Sequence, residues 1–186
     1  MNRLRLALAS LFATAVAVSA GAESDAPGFF LEPSLGYAIL SDYDYVFGPE
    51  IAFGYRLDAV NRIAVETAYY ATRASVLKDD IELVPLLIRY DREVQLAPKW
   101  TGTVGLVGGA LFQRFENHDW LFPLVRRHDE EKTHTAGALG GEVGIDYHLN
   151  DRVSLGVSAT VLALTSTDIV TSNALAVLRF KAGIAF

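Results

Sequence analysis

Residues 140–155 read Gly140-Gly141-Glu142-Val143-Gly144-Ile145-Asp146-Tyr147-His148-Leu149-Asn150-Asp151-Arg152-Val153-Ser154-Leu155. Two faces alternate along the first ten residues. Gly141, Val143, Ile145, Tyr147 and Leu149 share one; Gly140, Glu142, Gly144, Asp146 and His148 share the other. A period of two belongs to a strand, not a helix. Asn150-Asp151-Arg152 is a polar turn triplet, and Val153, Ser154 and Leu155 resume the alternation. The stretch is therefore a β-hairpin with one apolar face. Its other face carries charges among very small residues.

The same pattern extends in both directions, and eight segments follow. The first runs from Phe29 to Leu40, with Leu31, Pro33, Leu35, Tyr37 and Ile39 opposite Glu32, Ser34, Gly36 and Ala38. The second, Gly48 to Leu57, sets Ile51, Phe53, Tyr55 and Leu57 against Glu50, Ala52, Gly54 and Arg56. The third, Arg62 to Ala71, sets Ile63, Val65, Thr67 and Tyr69 against Ala64, Glu66, Ala68 and Tyr70. In the fourth, Ile81 to Tyr90, Arg89 marks the polar face, because a charge in lipid is costly. In the glycine-rich fifth, Trp100 to Phe115, Val104 and Leu106 oppose Thr101, Thr103 and Gly105. The sixth (Thr135 to Leu149) and seventh (Val153 to Thr165) contain the opening hairpin. In the eighth, Asn173 to Phe186, Leu178, Phe180, Ile184 and Phe186 oppose Arg179, Lys181, Gly183 and Ala185.

A soluble sandwich also alternates, but it turns its charges to water. Here the charged faces are built from Gly, Ala and Ser, as the narrow inside of an eight-stranded barrel requires. The segments match the roughly 9–11 tilted residues that cross a bilayer. Their number is even, as in single-chain outer-membrane barrels. The expected fold is all-β, an eight-stranded antiparallel up-and-down transmembrane β-barrel. Short turns are expected at Asp58 to Asn61, Asp91 to Pro98 and Asn150 to Arg152. Longer loops are expected at Ser41 to Phe47, Thr72 to Asp80, Glu116 to His134 and Ser166 to Ser172. The turns face the periplasm on this reading. Aromatics near segment ends (Phe29, Phe30, Tyr55, Tyr69, Tyr70, Tyr90, Trp100, Tyr147 and Phe186) suit interfacial girdles.

Composition agrees. The chain is 51% hydrophobic, yet beyond the N-terminus no uncharged apolar run is long enough for a membrane helix. It has no cysteine, so no disulfide framework holds it. The net charge of −6 comes without a basic stripe, which argues against nucleic acid as a partner. Arg3 and Arg5, the apolar run Leu6 to Val18 and the small residues Ser19-Ala20-Gly21-Ala22 form a signal-peptide pattern. Residues 1–22 are expected to be removed before Glu23, with cleavage after Ala20 as the alternative. Residues 23–186 then form the barrel, delivered to a Gram-negative outer membrane.

The opening hairpin is similar to the penultimate hairpin of small outer-membrane barrels, the opacity-protein and outer-membrane-protein-A-like porin family. Leu83-Val84-Pro85-Leu86-Leu87 resembles that family's fourth strand. Leu178-Arg179-Phe180-Lys181-Ala182-Gly183-Ile184-Ala185-Phe186 resembles its last. The resemblance implies that Phe186 is part of the signal read by the barrel-assembly machinery. It also implies outer-membrane lipid and lipopolysaccharide as surroundings.

Projected into a barrel, nine charges point inward: Glu32, Glu50, Arg56, Glu66, Arg89, Glu142, Asp146, Arg179 and Lys181. Glu66, Glu142 and Arg179 are expected at mid-depth, the others except Glu50 nearer the periplasm. Buried charges of both signs must pair. The plainer expectation is a plug of ion pairs; the sharper one is a gate whose pairs exchange to pass ions. Asp146, His148 and Ser154 contain the residue types of a lipid-modifying hydrolase, but at the end away from the outer leaflet. His118, His128 and His134 lack compact metal-ligand spacing. No cofactor, metal or catalytic motif is read. Trp120-Leu121-Phe122-Pro123-Leu124-Val125, within the longest loop, is the candidate contact for lipid headgroups or a surface partner. The expected role is structural or surface-interacting and non-enzymatic. A narrow porin-like channel is the alternative.

Overall fold

A computed structural model describes residues 27–39, 45–71, 80–116, 131–165 and 173–186. The strands are β1 (Gly28–Ile39), β2 (Tyr45–Arg56), β3 (Asn61–Ala68, resuming as Tyr70–Ala71), β4 (Asp80–Ala97), β5 (Trp100–Glu116), β6 (Glu131–His148), β7 (Val153–Leu164) and β8 (Ala174–Ala185). Each pairs antiparallel with its neighbour, and β8 returns to β1, which closes the sheet. The break in β3 has a local cause. The amide of Tyr69 donates to the Pro49 carbonyl at 3.0 Å, and Pro49 has no N–H to return.

The register sets the shape. From Phe29 the partners run Tyr55, Ile63, Tyr90, Leu106, Gly141, Val161, Ala176 and back to Ile39, ten residues further along β1. This stagger belongs with strands tilted by roughly 35–45° in a narrow barrel. Following it places each inward side chain at a depth, without reference to any site.

Two short turns share one construction. At Asp58, Oδ1 accepts the amides of Val60 and Asn61, both at 2.8 Å. At Asn150, Oδ1 accepts those of Arg152 and Val153, both at 2.9 Å. Such Asx turns let a side chain stand in for a backbone acceptor. The third turn is only Pro98-Lys99, because β4 and β5 stay paired down to Ala97 and Trp100. The expected turn from Asp91 to Pro98 is therefore mostly strand. Strict alternation sends Asp91 and Glu93 inside and leaves Arg92 outside.

The other end of the barrel also differs in detail from expectation. β2 begins at Tyr45 and so takes in Phe47. β5 reaches Glu116, β6 begins at Glu131, and His134 therefore lies in a strand. Residues 1–26, with the expected signal sequence, lie outside the described residues, as do 117–130, with Trp120 to Val125, and 166–172.

The outer face is apolar. Leu106 and Leu139 are 69% and 70% exposed, and Val104, Phe53, Ile88, Val161 and Phe180 are also open. Phe29 stacks on Phe53, and Trp100 lies against Tyr147 with ring centroids 4.9 Å apart. Surface of this kind belongs in lipid. Leu178, Phe180 and Phe186 join it as expected, but Ile184 is only 2% exposed, set between its register partners Leu31 and Val153. Phe30 and Tyr70 are not girdle residues either: both fall on inward positions and are buried.

Candidate functional site: a two-layered barrel interior

The inward positions divide into two layers. In the half nearer the short turns, charges fill the interior. Arg89 is its hub. Its Nη2 meets Glu32, its Nε meets Asp91 at 2.7 Å, and its Nη1 lies 3.2 Å from Glu66 and 3.5 Å from Glu142. Arg179, from β8, holds Glu50 at 2.5 Å, Glu66 at 2.5 Å and Glu142 at 2.7 Å, and donates to Thr160 as well. Thr160 in turn donates to Glu142 at 2.9 Å. Both arginines are 2% exposed. Glu66, Glu142 and Arg179 thus meet at one depth, as the alternation predicts, and Arg89 ties that level to the charges below.

Nearer the turns, Arg62 reaches Glu32 at 2.8 Å, Asp91 at 3.0 Å and Glu93 at 3.1 Å. Arg56 lies 3.1 Å from Glu93, and Lys181 lies 3.1 Å from Asp146. Seven of the nine predicted interior charges are linked through shared partners, and Asp146 and Lys181 form a pair beside them. Three members were not predicted: Arg62, Asp91 and Glu93. Arg62 shares the face of Ala64 and Glu66, so its register gave the signal. Its place beside the turn hid it. Network and pair together set five cations against seven carboxylates among the described residues.

Small residues create the room. A Cβ on Gly36 would stand 1.7 Å from Oε1 of Glu50, so the glycine is the seat of that carboxylate. Isolated buried ions cost several kcal/mol each. Carboxylates shared between arginines, and guanidinium groups that each reach several acids, offset that only as a connected set.

Beyond Glu50 and Thr160 the interior turns mainly apolar, with the buried amide of Gln113 as the exception. Ala38, Val46, Ala68, Tyr70, Leu83, Leu87, Val107, Leu111, Ala136, Ala138, Leu162, Leu164, Leu175 and Val177 form one buried cluster. Leu83, Leu87, Leu111, Leu162 and Leu175 are almost wholly shielded from solvent. This layer lies across the lumen between the charges and the loop end. Alternation alone does not reveal it, because it gives a side chain a direction and not a depth.

The residues weighed for chemistry are engaged elsewhere. His148 Nε2 pairs with Thr101 Oγ1 at 2.9 Å, while Asp146 holds Lys181 and accepts from Thr103 at 3.3 Å. Among the described residues no group of His and acidic side chains is arranged for a metal.

Comparison places this architecture. The family model described as the outer membrane protein beta-barrel domain matches residues 8–180. No curated protein sequence matches. Among solved structures, Neisserial surface protein A superposes with a TM-score of 0.67 at 18% identity, covering 87% of this chain and 100% of that one. Ail, the attachment invasion locus protein of Yersinia pestis, gives 0.57 at 11% identity, covering 89% and 100%. OprG of Pseudomonas aeruginosa gives 0.55 at 14%, covering 88% and 98%. At these identities the likeness is one of fold. With the family model spanning nearly the whole chain, the closed barrel and its lipid-suited exterior, this chain belongs to the outer membrane protein β-barrel family.

Proposed function

We propose that this protein is a non-conducting, non-enzymatic barrel that anchors a surface-exposed segment in the outer membrane. The observation that carries this reading is the apolar layer across the lumen. An ion leaving the charge network toward the loop end meets Leu83, Leu87, Leu111 and Leu162, with only the Gln113 amide and the Tyr70 hydroxyl as polar groups among them. Exchange of ion pairs in the lower layer would not open that barrier, so the geometry favours a plug over a gate. The channel reading lacks a polar path among the described residues.

The surface role rests on strand length. The termini and short turns face the periplasm, and the opposite end faces outward. There β5 and β6 remain paired to Glu116 and Glu131, while the last β6–β7 pair is Ala138 with Leu164. Strands β4, β5 and β6 thus rise together beyond β7, and β5 and β6 are joined by residues 117–130, with the apolar Trp120 to Val125. Ail, a structural neighbour, is named for attachment and has been solved with a heparin analogue. Lipopolysaccharide is the lipid this end would meet. The barrel-assembly machinery would receive the Phe186 end during insertion.

Deletion of 120–125 tests the role. Cells displaying the full chain should adhere to lipid-coated or host-cell surfaces several-fold better than cells displaying the deletion, with heat-modifiable gel mobility unchanged. Equal adherence at equal folding would contradict it.

A further inference from the structure

Apart from the bulge beside the Pro98-Lys99 turn, the ladders of the described residues lapse at three places, and a proline stands at each. Pairing of β1 with β8 lapses between Leu31 and Ser34, at Pro33. Pairing of β2 with β3 lapses between Phe47 and Glu50, at Pro49. Pairing of β3 with β4 lapses between Leu83 and Leu86, at Pro85. Register is the same on both sides of every gap, so no residue is inserted.

The gap at Pro33 is one-sided. There β1 stays paired with β2 through Ile51, and Ala182 of β8 stays paired with Leu155 of β7. The other two gaps converge on β3 from opposite sides. The Tyr69 amide points to β2, where it donates to the Pro49 carbonyl at 3.0 Å. Ala68 must then turn its own backbone groups to β4, and the register sets it against Pro85. Neither proline returns an N–H, so the Ala68 and Tyr69 carbonyls each lose their ladder donor. Lipid supplies no water to replace it. The Pro85 carbonyl takes a side-chain donor, Thr67 Oγ1, at 2.9 Å.

The two ends of β3 are held differently about this joint. Toward the turns, Glu66 is fixed by both Arg89 and Arg179. Toward the loops, the Tyr69 hydroxyl donates to Glu82 of β4 at 2.6 Å on the outer face, across the gap that Pro85 leaves. We propose that Ala68-Tyr69 is a hinge at which the loop-side end of β3 parts from β2 and β4, with the Tyr69–Glu82 bond as its latch. Opening bares Ala68 and Tyr70 of the apolar layer to lipid. It leaves the Glu66 anchor in place, so the lumen stays closed to ions.

Relaxation dispersion of backbone amides, recorded on the full barrel in lipid nanodiscs, reads opening on the μs–ms scale. Ala68, Tyr69 and Tyr70 should show it. Ala138, Leu139 and Gly140, whose ladders are unbroken on both sides, should not, and neither should the residues around Pro33. Tyr69→Phe should raise the open population several-fold. Pro85→Ala, which restores a donor to the Ala68 carbonyl, should lower it several-fold, with folded gel mobility kept in both. Flat profiles at Ala68 to Tyr70 in the unaltered chain, equal dispersion at Ala138 to Gly140, or no response to either substitution would overturn the proposal.

Discussion

Single side chains in this barrel are constrained by what they face. Arg89 touches four carboxylates at 2% exposure. Its replacement by Ala leaves those acids unpaired and should destabilise the barrel by about 3–5 kcal/mol. Urea unfolding from lipid vesicles would measure it. Gly140 is constrained by backbone, not by a side chain: a Cβ there would stand 1.8 Å from the Val161 carbonyl oxygen. Gly140→Val should therefore block folding. Gly102→Ala, whose new carbon meets only the movable Leu96 side chain at 3.2 Å, should fold normally by gel mobility. Asp58 adds a pH dependence. Hydrogen bonds from the Asn61 side chain, then from the Val60 and Asn61 amides, hold its carboxyl below the usual aspartate range. A depressed pKa means that this support is present above the unfolded value and disappears as the pH falls through the folded one. Asp58→Asn should remove that acid-side dependence, read as the pH at which the turn amides begin to exchange rapidly.

Strands were legible wherever one face was uniformly small or charged. β6 and β7 needed nothing more than alternation, and Glu142, Asp146 and Ser158 all lie inside as it requires. β4 was not legible past Tyr90. Three consecutive charges suggest a solvated turn, and only pairing with Thr103 and Thr101 on β5 shows that the strand continues. Inward Phe30 and Tyr70 were obscured for the opposite reason, because aromatics near strand ends suit an interface as well as a lumen. The alternation makes a direct prediction for β5. Leu106→Arg, placed in lipid, should cost about 2–4 kcal/mol, whereas Thr103→Ser on the lumen side should be nearly silent. A spin label stepped from Val104 to Phe112 should report oxygen accessibility with a period of two. A flat profile would contradict the register.

At the scale of the molecule, two layers fill one narrow tube. Shear and strand number fix the radius, small residues admit the guanidinium groups, and mainly apolar side chains, with leucines the largest share, occupy the remainder of the bore. The charge layer was legible residue by residue because each ion sits on an alternating face. The apolar layer was not, because depth depends on the stagger around the whole barrel, which no single strand encodes. The closed lumen is the central claim. Single-channel recording across a planar bilayer tests it most directly. The folded protein should give no discrete conductance steps, and Arg179→Ala should remain silent because the leucine layer is untouched. Steps in the unaltered protein that vary with the charge layer would contradict a sealed barrel.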